Sequence, residues 1–215
     1  MKLKDAEIRG KLRRLLAQSF QGTEFVVTEE LGLDHGMNRI DVAVVGATDF
    51  YGFEIKSDVD SLKRLPSQAQ AYSLVLDYSS LVVTARHCDE ASTMIPQWWG
   101  LYLAEPDPFS GRVRIRCLRI PQRNPDIDLP SLLKTLWKDD CLELLALKGE
   151  PKGWKSSAKW HLRKRLGEIC RLDEVRNFSR SKLKEHAALG PGWKLRRKQR
   201  IERFERLQKS LAPAA

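Results

Sequence analysis

Asp41, twelve intervening residues and then Glu54-Ile55-Lys56 place two carboxylates and an ammonium within runs of otherwise apolar residues. Charge in such surroundings is costly unless it is paired or bound to metal. Hard oxygen donors on neighbouring strands suit Mg²⁺, which keeps several of its waters and engages a substrate phosphate. The chemistry that needs this trio is hydrolysis of a phosphodiester, in which one or two ions make a nucleophile from water and stabilise the leaving oxygen. A lysine two residues beyond the second carboxylate can orient that water or meet the developing negative charge. The same residues can also form a plain ion pair on an edge hairpin, worth about 0–1 kcal/mol when solvated.

Two strands and a helix must present these groups. Residues 39–45 (RIDVAVV) alternate, which predicts Ile40, Val42 and Val44 on one face and Asp41, Ala43 and Val45 on the other. Residues 51–56 repeat the pattern, with Tyr51, Phe53 and Ile55 one way and Gly52, Glu54 and Lys56 the other. Glu54 and Lys56 then share a face about 7 Å apart, at ~3.3 Å per residue. Pro66 is tolerated only in the first turn of a helix. A helix is therefore expected over residues 66–77, with Ala69, Tyr72 and Leu76 toward the core. Gln68 and Tyr72, four apart, face the same way.

Asp41 followed by Glu54-Ile55-Lys56 resembles the PD-(D/E)xK signature of the restriction-endonuclease-like nuclease superfamily, with Ile40 where the signature has proline. Gln68 and Tyr72 are similar to the QxxxY motif of its RecB and lambda-exonuclease branch. A longer string resembles a small group of bacterial and phage members. It runs through Glu7-Ile8-Arg9, Glu29-Glu30-Leu31, residues 39–41, 54–58 and 60–65, and Pro96-Gln97-Trp98-Trp99-Gly100, about the first half of the chain. The resemblance implies an α/β core, a central mixed sheet flanked by helices, over residues 1–120. It implies Asp41, Glu54 and the carbonyl of Ile55 as ligands to Mg²⁺ (or Mn²⁺), Lys56 and Gln68 as catalytic and Tyr72 as supporting. The first helix often lends the metal an acid in that superfamily, and Glu7 is the candidate; the alternative is a helix-start glutamate favoured by the macrodipole.

The remaining elements follow from periodicity. Residues 5–19 read as an amphipathic helix with Ile8, Leu12, Leu15 and Leu16 as its stripe, and 24–31 as a strand ended by Glu29 and Glu30, with 32–38 the turn. Residues 80–84 are a fully apolar central strand, 87–94 a helix, and 101–104 a strand led in by the packing tryptophans Trp98 and Trp99. Residues 112–120 form an outer strand with Val113, Ile115, Cys117 and Leu118 or Ile120 inward and arginines outward. A proline-bearing linker, 121–130, is expected to divide this core from an all-helical region, 131–215, with helices over 132–147, 158–170, 172–187 and 193–211.

Charge and cysteines bound the function. The net charge is +10; residues 151–210 carry 19 Lys/Arg and 6 Asp/Glu, hence +13, which leaves −3 for the rest. Such asymmetry indicates a nucleic-acid partner. Candidate contacts are Arg39, Lys63 and Arg64 near the acidic site and Arg163, Lys164, Arg165, Lys194, Arg196 and Arg197 in the basic half. The expected partner is DNA, duplex, single-stranded or branched, with RNA also open on the metal chemistry and a second copy of the chain a further candidate. Four cysteines without a CxxC pair read as reduced, mostly buried thiols of a cytoplasmic protein, with no membrane span in the chain. There is no Gly-rich phosphate loop, repeat or Ser/His/Asp order. The activity expected is metal-dependent DNA hydrolysis, in repair, recombination or phage DNA processing; the alternative is a catalytically silent DNA-binding scaffold.

Overall fold

Six strands pair in chain order into one mixed sheet in the computed structural model, which describes residues 2–33, 38–150 and 153–188. Helix α1 (Asp5–Ser19) leads into β1 (Phe25–Leu33), β2 (Asn38–Gly46) and β3 (Phe50–Lys56). A 3-10 turn, Leu62–Arg64, opens α2 (Leu65–Ser73); then follow β4 (Tyr78–Thr84), α3 (Cys88–Met94), β5 (Gly100–Pro106) and β6 (Val113–Arg119). The sheet runs antiparallel from β1 to β3, parallel from β3 to β5, and antiparallel again to β6. Helices α4 (Leu129–Leu133), α5 (Lys138–Leu147), α6 (Lys159–Ile169) and α7 (Leu172–Ala188) complete an α/β fold whose C-terminal part is helical.

Each face of the sheet has its own core. On one, Ile8, Leu12 and Leu16 of α1 pack against Val42, Val44, Phe53, Ile55 and Val82. On the other, Ile40, Ala43, Val45, Leu81 and Val83 meet α2, α3 and the C-terminal helices in one continuous cluster. Strand β4, central and apolar, is buried from Ser79 to Thr84. Gly52 lies where β3 passes under Leu76: a Cβ there would lie 2.3 Å from Leu76 Cδ1, so that side chain would have to shift.

Several expectations need correcting. Alternation in β2 fails at Asp41: Ile40 shares a core with Ala43 and Val45, not with Val42 and Val44. The cause is local. The β1–β2 register skips the Glu30–Asp41 pair, and Glu30 adopts φ +53°. Strand β1 accordingly continues past Glu30 to Leu33. Helix α2 ends at Ser73, where the Asn124 side-chain amide takes the carbonyls of Ser73 and Leu76 at 2.6 and 2.7 Å. Strand β6 lies at the sheet edge, but its register slips by one residue at Leu118, leaving Leu118, Ile120 and Cys117 exposed rather than inward. Only Cys141 and Cys170 are buried. The 132–147 helix is two, α4 and α5. Residues 121–128 are tied back by hydrogen bonds from Gln122, Asn124 and Asp128 to Trp98, Asp77 and Leu74. The helix expected over 193–211 lies outside the described residues.

Candidate metal centre and active site

The site forms where β2 and β3 part. Their last paired residues are Val42 and Phe53; beyond them the Ile55 N–H is accepted at 2.7 Å by Asp41 Oδ2 in place of a backbone carbonyl. The parting opens a polar cleft of about 530 Å³ lined by Asp41, Glu54, Ile55, Lys56 and Gln68, with Asp5, Glu30, Arg39, Asp60 and Arg64 among its walls. Ile55 sends its side chain into the α1-side core, so it meets the cleft with its backbone.

Toward α2 the groups are buried and mutually satisfied. Glu54 is 2% and Lys56 4% exposed. Lys56 Nζ donates to Glu54 Oε1 at 2.7 Å and to Gln68 Oε1 at 2.9 Å. Gln68 Nε2 donates to the same Glu54 oxygen at 2.6 Å. The Tyr72 hydroxyl, placed one helical turn on by the i, i+4 spacing, shares its proton between Arg39 O at 2.6 Å and Glu54 Oε2 at 2.8 Å. Burial and the Glu54 carboxylate raise the Tyr72 pKa, so the phenol stays protonated. Its ring stacks on Trp99, which is fully buried.

Toward α1 a guanidinium takes the lysine's place. Arg9 donates to Asp41 O at 2.7 Å and Asp41 Oδ1 at 3.2 Å, and pairs with Asp5 at 2.9 Å and Glu30 at 3.0 Å. Burial works to lower the Arg9 pKa, but Asp5, Asp41 and Glu30 outweigh it and raise it. Asp41 behaves differently. Burial first, then the nearby Glu54 carboxylate, push it up to about 7, against the pull of the Ile55 N–H and Arg9.

The sequence-predicted residues divide cleanly. Asp41, Glu54, Ile55, Lys56 and Gln68 come together at one cleft, with Tyr72 behind them. Glu7 does not join: it turns back to accept the Lys4 N–H at 2.9 Å and closes the start of α1. The acid that α1 brings to the cleft is Asp5, which reading the sequence missed, and Arg9 stood in the resemblance without a role; their i, i+4 spacing was the available signal. Arg39 and Arg64 reach the cleft wall, and Lys63 faces an adjoining hollow with Arg86. Arg163 donates to the carbonyls of Lys134 and Leu136, and Arg165 pairs with Glu150 and Glu168. Lys164 is exposed. Lys194, Arg196 and Arg197 lie outside the described residues.

The oxygens suit a hard divalent ion. A carboxylate has about four lone-pair sites; Glu54 accepts at most three hydrogen bonds and Asp41 two. The raised Asp41 pKa reflects burial first and the neighbouring Glu54 carboxylate second. Asp41 and Glu54 offer hard oxygen donors of the kind Mg²⁺ prefers.

A mixed-sheet α/β protein with a buried lysine–carboxylate cluster at its cleft is the class this fold and site define. The family model for bacteriophage P4 protein cII matches residues 2–203, and the chain belongs to that family. Protein cII of Enterobacteria phage P4 is 26% identical over 166 residues, which are 68% of this chain and 61% of that protein. The chain thus spans somewhat less than two thirds of that relative's length. Among solved structures, a protein of unknown function from Silicibacter pomeroyi matches with a TM-score of 0.40 and 21% identity, over 71% of this chain and 94% of that one. Among the described residues no helix is long and apolar enough to cross a membrane.

Proposed function

We propose that this protein is a Mg²⁺-dependent deoxyribonuclease with a PD-(D/E)xK, restriction-endonuclease-like core, acting in the cytoplasm. The observation that carries the reading is the meeting of Asp41, Glu54, Lys56 and Gln68 at one polar cleft. Asp41, Glu54 and the Ile55 carbonyl would hold the ion, with Mn²⁺ able to substitute. When bound, it supplies activation of water and neutralises charge on the scissile phosphate. Lys56 has three N–H donors; Glu54 and Gln68 take two, which fixes the ammonium and leaves the third for the attacking water or a phosphate oxygen. Gln68 holds both partners of that pair, and Tyr72 steadies Glu54. Arg39, Lys63 and Arg64 position the DNA backbone without reading sequence.

The test is cleavage of plasmid and single-stranded DNA with Mg²⁺ or Mn²⁺. Asp41→Ala and Lys56→Ala are each expected to lower the rate on the order of 10²–10³-fold, the scale for losing one group that stabilises developing charge. Equal cleavage by the variants would indicate a contaminant and end the assignment. One observation favours a silent DNA-binding scaffold instead: Lys56 is closed into a buried pair, as in a structural network. That reading predicts salt-sensitive DNA affinity with no product on any substrate and no heat on metal titration.

A further inference from the structure

Arg9 is the one cation enclosed on the α1 side of the cleft by described groups that are otherwise all acidic. Its Nε lies 2.9 Å from Asp5 Oδ1, and its Nη2 3.1 Å from Asp5 Oδ2 and 3.2 Å from Asp41 Oδ1. Its Nη1 lies 2.7 Å from Asp41 O and 3.0 Å from Glu30 Oε1. A guanidinium carries five N–H donors; five oxygens lie within 3.2 Å of this one, and Glu29 Oε2 is a sixth at 3.9 Å. Glu30 reaches it from a left-handed backbone conformation at the point where the β1–β2 pairing skips Asp41. A non-glycine residue held there is strained, and such strain persists only where its surroundings fix it. At this end of the cleft the guanidinium stands between the carboxylates.

We propose that Arg9 is a built-in cation standing in place of a second divalent ion, so that the chain takes up one metal ion and Arg9 positions Asp41 to hold it. The inference rests on the reading of Asp41 and Glu54 as metal-binding. Without Arg9, Asp5 and Asp41 would lose the cation they pair with and Glu30 would keep only Arg39, at 3.8 Å, so a divalent ion would draw the three carboxylates together.

Titration calorimetry with Mn²⁺, combined with paramagnetic counting of bound Mn²⁺, tests this on the full chain. The expected stoichiometry is one ion for wild type, one for Arg9→Lys, which keeps the charge, and two for Arg9→Met. Two ions in wild type, two in Arg9→Lys or one in Arg9→Met overturns the proposal while leaving the metal-binding reading intact. No ion in wild type removes both. Should Arg9→Met fail to fold alone, refolding in saturating Mn²⁺ is expected to recover it with two ions bound. Failure to recover it, with Arg9→Lys folding normally, would give Arg9 a purely structural role and overturn the proposal.

Discussion

The two sides of the cleft each set one cation among carboxylates, yet they are built on different terms. Toward α2, the Lys56 and Glu54 side chains are 5% and 2% exposed and every partner is a fixed protein group. Toward α1, Arg9 is 14% exposed, Asp41 19%, Asp5 39% and Glu30 50%, so water can replace any one of them. The lesson is that depth, more than charge count, sets what each pair is worth. Removing one partner of a buried pair strands the other, at a cost of about 3–5 kcal/mol. Lys56→Met is therefore expected to lose stability on that scale in urea denaturation. Glu54→Gln with Lys56→Met, which removes both charges, should recover most of it. Arg9→Met, whose partners can hydrate, should lose less, about 1.5–3 kcal/mol, the range for a hydrogen bond to a charged group. Equal losses for Lys56→Met and Arg9→Met would erase the contrast.

The pH dependence of the metal-free protein sharpens the same comparison. Asp41 sits where the two sides meet, and its pKa is raised to about 7 from an ordinary value of 3.8, by burial and by Glu54. A carboxyl with a raised folded-state pKa binds its proton more tightly when folded. Its contribution to stability is fully present below the unfolded value and is lost as pH rises through about 7. Metal-free wild type is thus expected to lose stability relative to Asp41→Asn between about pH 4 and 7, by a few kcal/mol at about 1.4 kcal/mol per pH unit. Parallel melting curves for the two proteins across that window would show that neither burial nor Glu54 raises the Asp41 pKa.

The α2 side of the cleft was legible because two fixed periods place it. The two-residue repeat of β3 sets Glu54 and Lys56 on one face, and the helical repeat sets Gln68 and Tyr72 opposite them. The α1 side depends on a break in period. Alternation through residues 40–44 misassigned Ile40 because the ladder opens at Asp41, and no count of apolar residues signals a Glu30 at φ +53°. Glu7 was the plausible acid by its place beside the apolar stripe, but it turns back to Lys4, and Asp5 reaches the cleft instead. In the basic half, composition counts charge without showing what holds it: Arg163 and Arg165 read as ligand contacts, and the fold gives both of them partners within their own chain.

That last distinction yields the smallest expected effect, and it separates free cations from committed ones. Lys63 and Arg64 are exposed beside the cleft, whereas Arg163 and Arg165 are held by carbonyls and carboxylates of their own chain. If DNA lies across the cleft, each free cation that meets a phosphate releases counterions, and its loss lowers the salt dependence of binding by about one unit of log K against log salt. Lys63→Ala and Arg64→Ala should each show that drop in fluorescence anisotropy titrations from low to moderate salt, weakening all sequences alike. Arg163→Ala and Arg165→Ala should leave the slope unchanged and lower the melting temperature instead, because what they lose is internal. A fall in slope for Arg163→Ala matching that for Lys63→Ala would mean that its bonds to Lys134 and Leu136 give way to phosphate, and that the helical region meets DNA through residues the free protein keeps for itself.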